Sequence, residues 1–132
     1  MSSALTEGVL IRVETRYLAS QSQPRDGRFA FAYTVHIENE GDVTVQLRTR
    51  HWIISDAEGG TREVRGPGVV GEEPRLEPGE TFEYTSGAVL PTSWGTMQGS
   101  YRFERREGGD FDAEVAPFLL ASSSVETAQT MN

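Results

Sequence analysis

Apolar and polar residues alternate along most of this chain, and a period of two limits the fold to extended strands. The clearest alternating positions are Val9, Ile11, Val13 and Tyr17; Phe29, Phe31, Tyr33, Val35 and Ile37; Met97, Tyr101 and Phe103; and Phe111, Ala113, Val115, Pro117 and Leu119. Because successive side chains of a strand point to opposite faces of a sheet, each run predicts a strand with one buried face. No segment sustains the 3.6-residue period of a helix, so the fold is predicted to be all-β.

Turn-forming segments separate the alternating runs. Residues 39–42 (Asn-Glu-Gly-Asp) have the composition of a hairpin loop, and they predict that the strands on either side are antiparallel neighbours. Residues 56–60 and 107–110 predict two further hairpins. About seven antiparallel strands at these spacings predict a β-sandwich of the fibronectin type III or immunoglobulin-like class.

The run that begins at Val43 changes its phase. Its apolar residues lie first on odd positions, as at Leu47, and then on even positions, at Trp52 and Ile54. A β-bulge within residues 48–51 explains this shift, and so does a strand that becomes buried on both faces. Trp52 is expected in the core, as is the buried tryptophan of immunoglobulin-like sandwiches.

The length of 132 residues suits one domain, which we place at residues 1–120. Residues 121–132 are rich in Ser, Thr and Ala without periodicity and predict a flexible tail. The sequence has no cysteine, which excludes disulfides and thiolate metal sites. It also has no apolar run of the roughly 20 residues needed to span a bilayer and no signal peptide, so a cytoplasmic protein without membrane insertion is expected.

The formal net charge is −8, and all 12 basic residues are arginines. A net negative charge opposes the electrostatic attraction that supplies most non-specific nucleic-acid binding, so nucleic acid is a disfavoured partner. The absence of lysine also excludes Schiff-base chemistry.

Five short motifs in one order carry a family resemblance: RHWII at 50–54, GPGVVG at 66–71, PGE at 78–80, YTSG at 84–87 and GTMQG at 95–99. From about Val9 to Leu120 the chain resembles the bacterial ApaG family. The resemblance implies a fibronectin type III-like sandwich that acts as an interaction module, because a similar domain occurs in some F-box proteins and in a polymerase delta-interacting protein. It also associates the chain with cobalt and magnesium resistance.

Gly66, Gly68 and Gly71 have the GxGxxG spacing of a dinucleotide-binding loop. In such loops a helix follows and its N-terminus faces the pyrophosphate, whereas here Glu72 and Glu73 follow and add negative charge. A structural glycine loop is therefore favoured. A small-ligand sensor that binds pyrophosphate or a nucleotide at this loop is the alternative function.

The two histidines, His36 and His51, together with Asp56 and Glu58, are the only start of a metal site that the sequence offers. They lack a paired ligand spacing, and the carboxylates lie in a predicted turn, where solvated acids are ordinary. We therefore predict no metal and no cofactor, and a divalent-metal sensor is retained only as part of the alternative function.

No Ser, His and Asp grouping and no nucleophile-elbow motif occurs in the sequence, so the chain is not expected to be an enzyme. Trp94 follows a Pro-Thr-Ser segment in a predicted loop, where an aromatic side chain either is available to a partner or packs as an anchor of the loop. Arg62 and Arg65 lie on a predicted hairpin strand opposite Arg48 and Arg50, an arrangement that would let some of these arginines share a face and bind a carboxylate or phosphate. The favoured interpretation is an arginine surface balanced by Asp and Glu.

Taken together, these features predict a non-enzymatic protein-interaction module whose candidate partner surface comprises Trp94, Arg62 and Arg65. The partner is a protein that the sequence does not identify. An exposed edge strand also allows a homodimer by strand addition.

Overall fold

The computed structural model describes residues 1–123, which form two antiparallel sheets packed face to face. The strands are β1 Ser2–Thr6, β2 Val9–Tyr17, β3 Phe29–Asn39, β4 Val45–Asp56, β5 Thr61–Pro67, β6 Arg75–Leu76, β7 Thr81–Leu90, β8 Trp94–Arg105 and β9 Asp110–Ala121. Single 3₁₀ turns at Ala19–Gln21 and Pro24–Asp26 connect β2 to β3. The predicted all-β sandwich is confirmed.

The first sheet has the strand order β1-β2-β3-β7, and the second has the order β5-β4-β8-β9 with β6 paired to β4. Two of these nine strands were not predicted. The sequence of β1 is Ser-Ser-Ala-Leu-Thr, which carries too few apolar residues for a period of two to be visible. β6 has only two residues.

The core fills the space between the two sheets, and aromatic rings occupy its centre. Trp52 is buried there, and its ring meets those of Tyr33, Tyr101 and Phe118 edge-on at centroid distances of 5.5, 5.7 and 5.9 Å. Edge-to-face contacts of this kind add to the free energy gained by burial. The prediction that Trp52 is a core residue is therefore confirmed.

The hairpin predicted at residues 39–42 is wrong, because β3 and β4 belong to different sheets. β2 and β7 occupy both edges of β3, so the chain leaves that sheet after Asn39. The buried Asn39 amide holds this crossing: its Nδ2 donates to the carbonyl oxygens of Val43 (2.8 Å) and Leu76 (3.0 Å), and its Oδ1 accepts from the Gly41 amide (3.0 Å). The other two predicted hairpins, β4–β5 and β8–β9, are present.

Two register shifts interrupt the alternation of side chains. The shift in β4 lies at Arg48, between Leu47 and Thr49, and confirms the predicted bulge. The shift in β9 lies at residues 116–117 and was not predicted. Proline has no N–H to donate to a ladder, and Pro117 is accommodated in this irregular stretch.

The shift in β9 reverses the predicted faces of its last residues. Pro117 and Leu119 were predicted on the apolar face, but both are exposed. Phe118 and Leu120 enter the core in their place. The core therefore remains filled by apolar side chains, and Leu119 is exposed on the outer face of the sheet.

The two sides of the sandwich differ in whether their edge strands are joined across the two sheets. On one side β9 is joined to the first sheet, because the Glu114 amide donates to Thr6 Oγ1 (3.1 Å) and Thr15 Oγ1 donates to the Leu119 carbonyl (3.2 Å). On the other side β5 pairs only with β4, and β7 only with β3, within residues 1–123. We call the gap between β5 and β7 the β5–β7 cleft.

None of the helical segments in residues 1–123 is long and apolar enough to cross a membrane. Most of the predicted flexible tail, residues 124–132, lies outside the described residues, and Ala121 is the last residue of β9.

The substitution Asn39→Ala is expected to lower the free energy of unfolding by about 2–4 kcal/mol, because it leaves buried carbonyl groups of the crossing without a donor. Urea unfolding measures this change. The control is Thr34→Ala, which removes the exposed hydrogen bond between Thr34 and Thr85 and should change stability by no more than about 0.5 kcal/mol. Equal losses in the two variants would contradict the role assigned to Asn39.

Candidate functional site

The glycine-rich segment at residues 66–71 ends in a tight turn. Val69 and Glu72 exchange two backbone hydrogen bonds of 2.8 and 2.9 Å, and the turn between them is made by Val70 (φ 44°) and Gly71 (φ 80°). Val69 is 1% exposed and is inserted in the core, so it anchors the turn to the sandwich. Valine adopts a positive φ only under strain, and Val70 is half exposed in that conformation.

The backbone amides of this segment are largely engaged by the protein itself. The Gly68 amide donates to the Arg48 carbonyl at 2.9 Å, and the Val69 and Glu72 amides bond each other's carbonyls. A Cβ on Gly68 would lie 2.2 Å from the Glu72 carbonyl oxygen, so glycine is required there for close packing. β6, and not a helix, is the next element in the chain. This arrangement differs from a dinucleotide-binding loop, in which free amides face the ligand.

Arg50 lies beneath the glycine segment because the Arg48 bulge turns it inward. It is opposite the fully buried Tyr101 in the β4–β8 register, and opposite Gly66 on the β5 side. Its guanidinium passes over Gly66, where a Cβ would be 2.9 Å from Nη2. Arg50 Nη1 donates to the carbonyls of Pro67 (2.8 Å) and Gly68 (2.9 Å).

A cavity of about 240 Å³ opens beside this guanidinium, and we call it the Arg50 cavity. It is lined by Arg50, Tyr33, Trp52, Tyr84 and Ser86 and by residues 69–71. The hydroxyl groups of Tyr84 and Tyr101 are hydrogen bonded to each other, and Ser86 lies opposite Tyr33 in the β3–β7 register. These hydroxyl groups and the Arg50 guanidinium therefore lie together at the β5–β7 side of the core.

Burial raises the pKa of Tyr33, Tyr84 and Tyr101 above the ordinary tyrosine value, and the nearby positive charge of Arg50 only partly opposes this effect. Desolvation disfavours the charged phenolate in each case. The three hydroxyl groups consequently remain protonated at neutral pH and can donate hydrogen bonds.

A larger groove of about 580 Å³ lies on the outer face of the second sheet. Two of the arginines that line it are paired with acids. Arg102 is bonded to both carboxylate oxygens of Asp112 (3.1 and 3.3 Å), and Arg65 lies 3.4 Å from Glu63. Surface pairs of this kind contribute little free energy, and each of them neutralises one positive charge in the groove.

Trp94 is the first residue of β8 and not a loop residue as predicted. It is 47% exposed, and Leu119 on the neighbouring strand β9 is 54% exposed. Trp94 is opposite Ala121, and Leu119 is opposite Thr96, so the two apolar side chains are diagonal neighbours on the outer face. We call this pair the Trp94 corner. Leu119 was not proposed from sequence, although Pro117 inside a strand is a signal of the bulge that exposes it.

The four arginines of the β4–β5 hairpin are divided between several environments. Arg50 faces the inside of the sandwich, and Arg62 lies at the β5–β7 cleft with its Nη2 3.4 Å from the Val89 carbonyl. Arg65 is opposite His51 on the outer face. Arg48 pairs with Glu73 at 3.2 Å. The predicted surface of Trp94, Arg62 and Arg65 is therefore not one continuous face, since Arg62 and Arg65 point to opposite sides of β5.

The two histidines lie on different sheets. His36 is held between Glu14 (3.4 Å) and Glu83 (2.8 Å) on the first sheet, and His51 is 2.9 Å from Glu63 on the second. The hydrogen bond from His51 lowers the pKa of the Glu63 carboxyl group.

Asp56, which the sequence offered as a third ligand, uses its Oδ1 to accept from the Glu58 and Gly60 amides. It therefore organises the β4–β5 turn. Across residues 1–123 no three ligating side chains converge.

These features define a small antiparallel β-sandwich domain of the immunoglobulin-like class. The sequence matches the family described as "ApaG domain" over residues 19–105. It is 55% identical to a Protein ApaG of Rhodospirillum centenum across 92% of this chain and 94% of that protein, and 56% identical to one of Thiobacillus denitrificans across 87% and 91%. The chain belongs to the ApaG family.

A solved structure from Bordetella pertussis, described as an ApaA protein, has the same fold. It superposes with a TM-score of 0.85 at 48% identity and covers 89% of this chain and 96% of that one. A second solved structure, at 45% identity, has a TM-score of 0.83 and covers 87% of each chain.

The substitution Gly68→Ala is expected to cost about 1–3 kcal/mol more stability than Gly71→Ala, because only the first places a methyl group against a backbone carbonyl. Both residues have positive φ, at 58° and 80°, so Gly71→Ala serves as the control for backbone strain. Thermal or urea unfolding measures the difference. A similar loss in both variants would show that strain alone explains the glycines.

The raised tyrosine pKa values predict a loss of stability in alkali. Above about pH 10 the unfolded chain releases tyrosine protons that the folded protein retains, so the free energy of unfolding falls as the pH rises and is unaffected near neutrality. Urea unfolding across this range, with phenolate absorbance, measures the effect. Tyr84→Phe should reduce the dependence, and ordinary titration of Tyr33, Tyr84 and Tyr101 in the folded protein would contradict it.

Proposed function

We propose that this chain is a non-catalytic protein-interaction module that binds its partner through the Trp94 corner. The observation that carries the proposal is the exposure of Trp94 and Leu119 side by side on a sheet face. Exposed tryptophan contributes strongly to interfaces because it buries a large area and loses little conformational entropy. The family resemblance, which implies an interaction module, supports the same function.

The Trp94 corner is supported by the fold rather than carried on a long loop. Both side chains project from paired strands, and Thr92 Oγ1 donates to the Trp94 carbonyl (2.7 Å) while accepting from the Ala57 amide (3.1 Å). The Ser122 amide donates to the Ser93 carbonyl at 2.9 Å. A preorganised surface of this kind loses less entropy on binding.

The described residues in the row of outward-facing side chains that crosses the corner are uncharged, although the chain as a whole carries a net charge of −8. Thr96 lies opposite Leu119, and Ser55 and Thr61 continue the same row across β4 and β5. The partner that suits this surface is a protein with an exposed, uncharged apolar patch. Charged groups of a partner would lose their hydration there without an oppositely charged group to pair with.

The other functional options have weaker support. A pyrophosphate or nucleotide sensor at Gly66, Gly68 and Gly71 would need loop amides, three of which are bonded to backbone carbonyls. We further propose that the protein acts in the cytoplasm, in keeping with a sequence that has no cysteine. A contribution to cobalt or magnesium resistance would then be made through the partner.

Affinity capture from the native cytosol tests the proposed function. The wild-type chain is expected to retain a specific protein, and Trp94→Ala and Leu119→Ser are each expected to weaken its binding by roughly tenfold or more. The purified partner is then titrated against each variant by calorimetry. The matched control is Leu5→Ser, which removes an exposed leucine from β1 (61% exposed, against 54% for Leu119) and should leave the affinity unchanged.

Equal capture by wild type and Trp94→Ala would overturn the assignment of the surface. Sedimentation of the purified chain tests the homodimer, and a dimer that dissociates in Trp94→Ala would mean that the corner binds a second copy instead of another protein.

A further inference from the structure

We propose that the Arg50 cavity is a binding site for a small monocarboxylate. Arg50 supplies the positive charge, and the hydroxyl groups of Tyr33 and Tyr84 supply further hydrogen-bond donors. The site lies between the two sheets at the β5–β7 cleft and does not depend on the Trp94 corner.

The guanidinium of Arg50 has donors left over after its contacts within the protein. Arginine carries five N–H groups, and Nη1 uses its two on the carbonyls of Pro67 and Gly68. No ion pair within residues 1–123 includes Arg50. Arg48, Arg65, Arg102 and Arg105 each have a carboxylate partner. A half-buried arginine without one favours an anion from outside.

The tyrosines add donors that face the same space. Tyr101 is fully buried, so its proton is best satisfied by donation to Tyr84, and the Tyr84 proton is then free for an acceptor in the cavity. Tyr33 lies opposite Ser86 in the β3–β7 register and also lines the cavity, so its hydroxyl group supplies a further donor. Two tyrosine hydroxyl groups therefore join the guanidinium as donors at this cavity.

Charge and size favour a carboxylate over a polyphosphate. One guanidinium matches one negative charge, and Glu72 and Glu73 follow the glycine turn where a second phosphate would need cations. Arginine binds a carboxylate through two parallel hydrogen bonds. The volume of about 240 Å³ suits a carboxyl group with a short tail, and Trp52, Val69 and Val70 provide apolar walls for that tail.

The carboxylate has two sources with the same chemistry, a free small acid and the C-terminal carboxyl group of a peptide. Tyr84 and Ser86 belong to β7, whose second edge has no strand partner within residues 1–123, so a peptide could pair with that edge while its terminus reaches Arg50. Binding of butyrate alone would indicate a free acid. Much tighter binding of a short peptide than of its C-terminal amide would indicate a peptide.

Amide chemical-shift titration of the full chain with sodium butyrate tests the site. Saturable shifts are expected at Val70, Gly71 and Ser86, with a dissociation constant on the order of 1 mM. Arg50→Gln should weaken binding by roughly tenfold or more. The matched control is Arg65→Gln, which removes an outward-facing arginine from the adjacent strand and should leave the affinity unchanged.

A second pair of variants keeps the test decisive if Arg50→Gln does not fold. Tyr33→Phe removes one hydroxyl donor from the cavity and should weaken butyrate binding several-fold. Tyr17→Phe removes a tyrosine hydroxyl elsewhere and should not. Absence of saturable shifts, equal affinity in Tyr33→Phe and Tyr17→Phe, or tighter binding of pyrophosphate than of butyrate would each overturn the proposal.

Discussion

The alternation of side chains along strands that share one core is the constraint on which this structure depends. Two β-bulges interrupt this alternation, and each of them changes the face of the sheet on which one important side chain lies. The bulge at Arg48 turns Arg50 into the sandwich, beside Tyr101. The bulge at residues 116–117 leaves Leu119 outside, beside Trp94. Both candidate surfaces therefore arise where the period of two is broken.

The two sides of the sandwich cover their exposed strand edges in different ways. Side-chain hydroxyls of Thr6 and Thr15 bond the backbone of β9 and join it to the first sheet. At the β5–β7 cleft the segment that follows β5 covers the core instead. Val69 is inserted in the core as an apolar side chain, and Arg50 donates hydrogen bonds to the Pro67 and Gly68 carbonyls. Arg50 therefore helps to cover the edge of the core and also places a positive charge at that edge.

The sequence pattern predicted those parts of the fold that are determined by residues close together in the chain. Seven strands, two hairpins, the Arg48 bulge and the burial of Trp52 all follow from periodicity and turn chemistry. The passage of the chain from the first sheet to the second at Asn39 could not be predicted in this way. A short polar loop has the same composition whether the strands on either side of it pair or belong to different sheets. What decides it is the occupation of both edges of β3 by distant strands. The Arg50 cavity depends on equally distant contacts between β3, β4 and β7.

The Trp94 corner and the Arg50 cavity are connected through β8, which carries Trp94 itself and also Tyr101, whose hydroxyl group is hydrogen bonded to Tyr84 of the cavity lining. Trp94 points outward from the first residue of that strand, whereas Tyr101 points inward near its middle. β8 is paired on both sides along its length, so it cannot shift its register without breaking two ladders. Coupling between sites requires an element with two alternative arrangements, and this strand offers none. Changes at one site should therefore add to changes at the other without interaction.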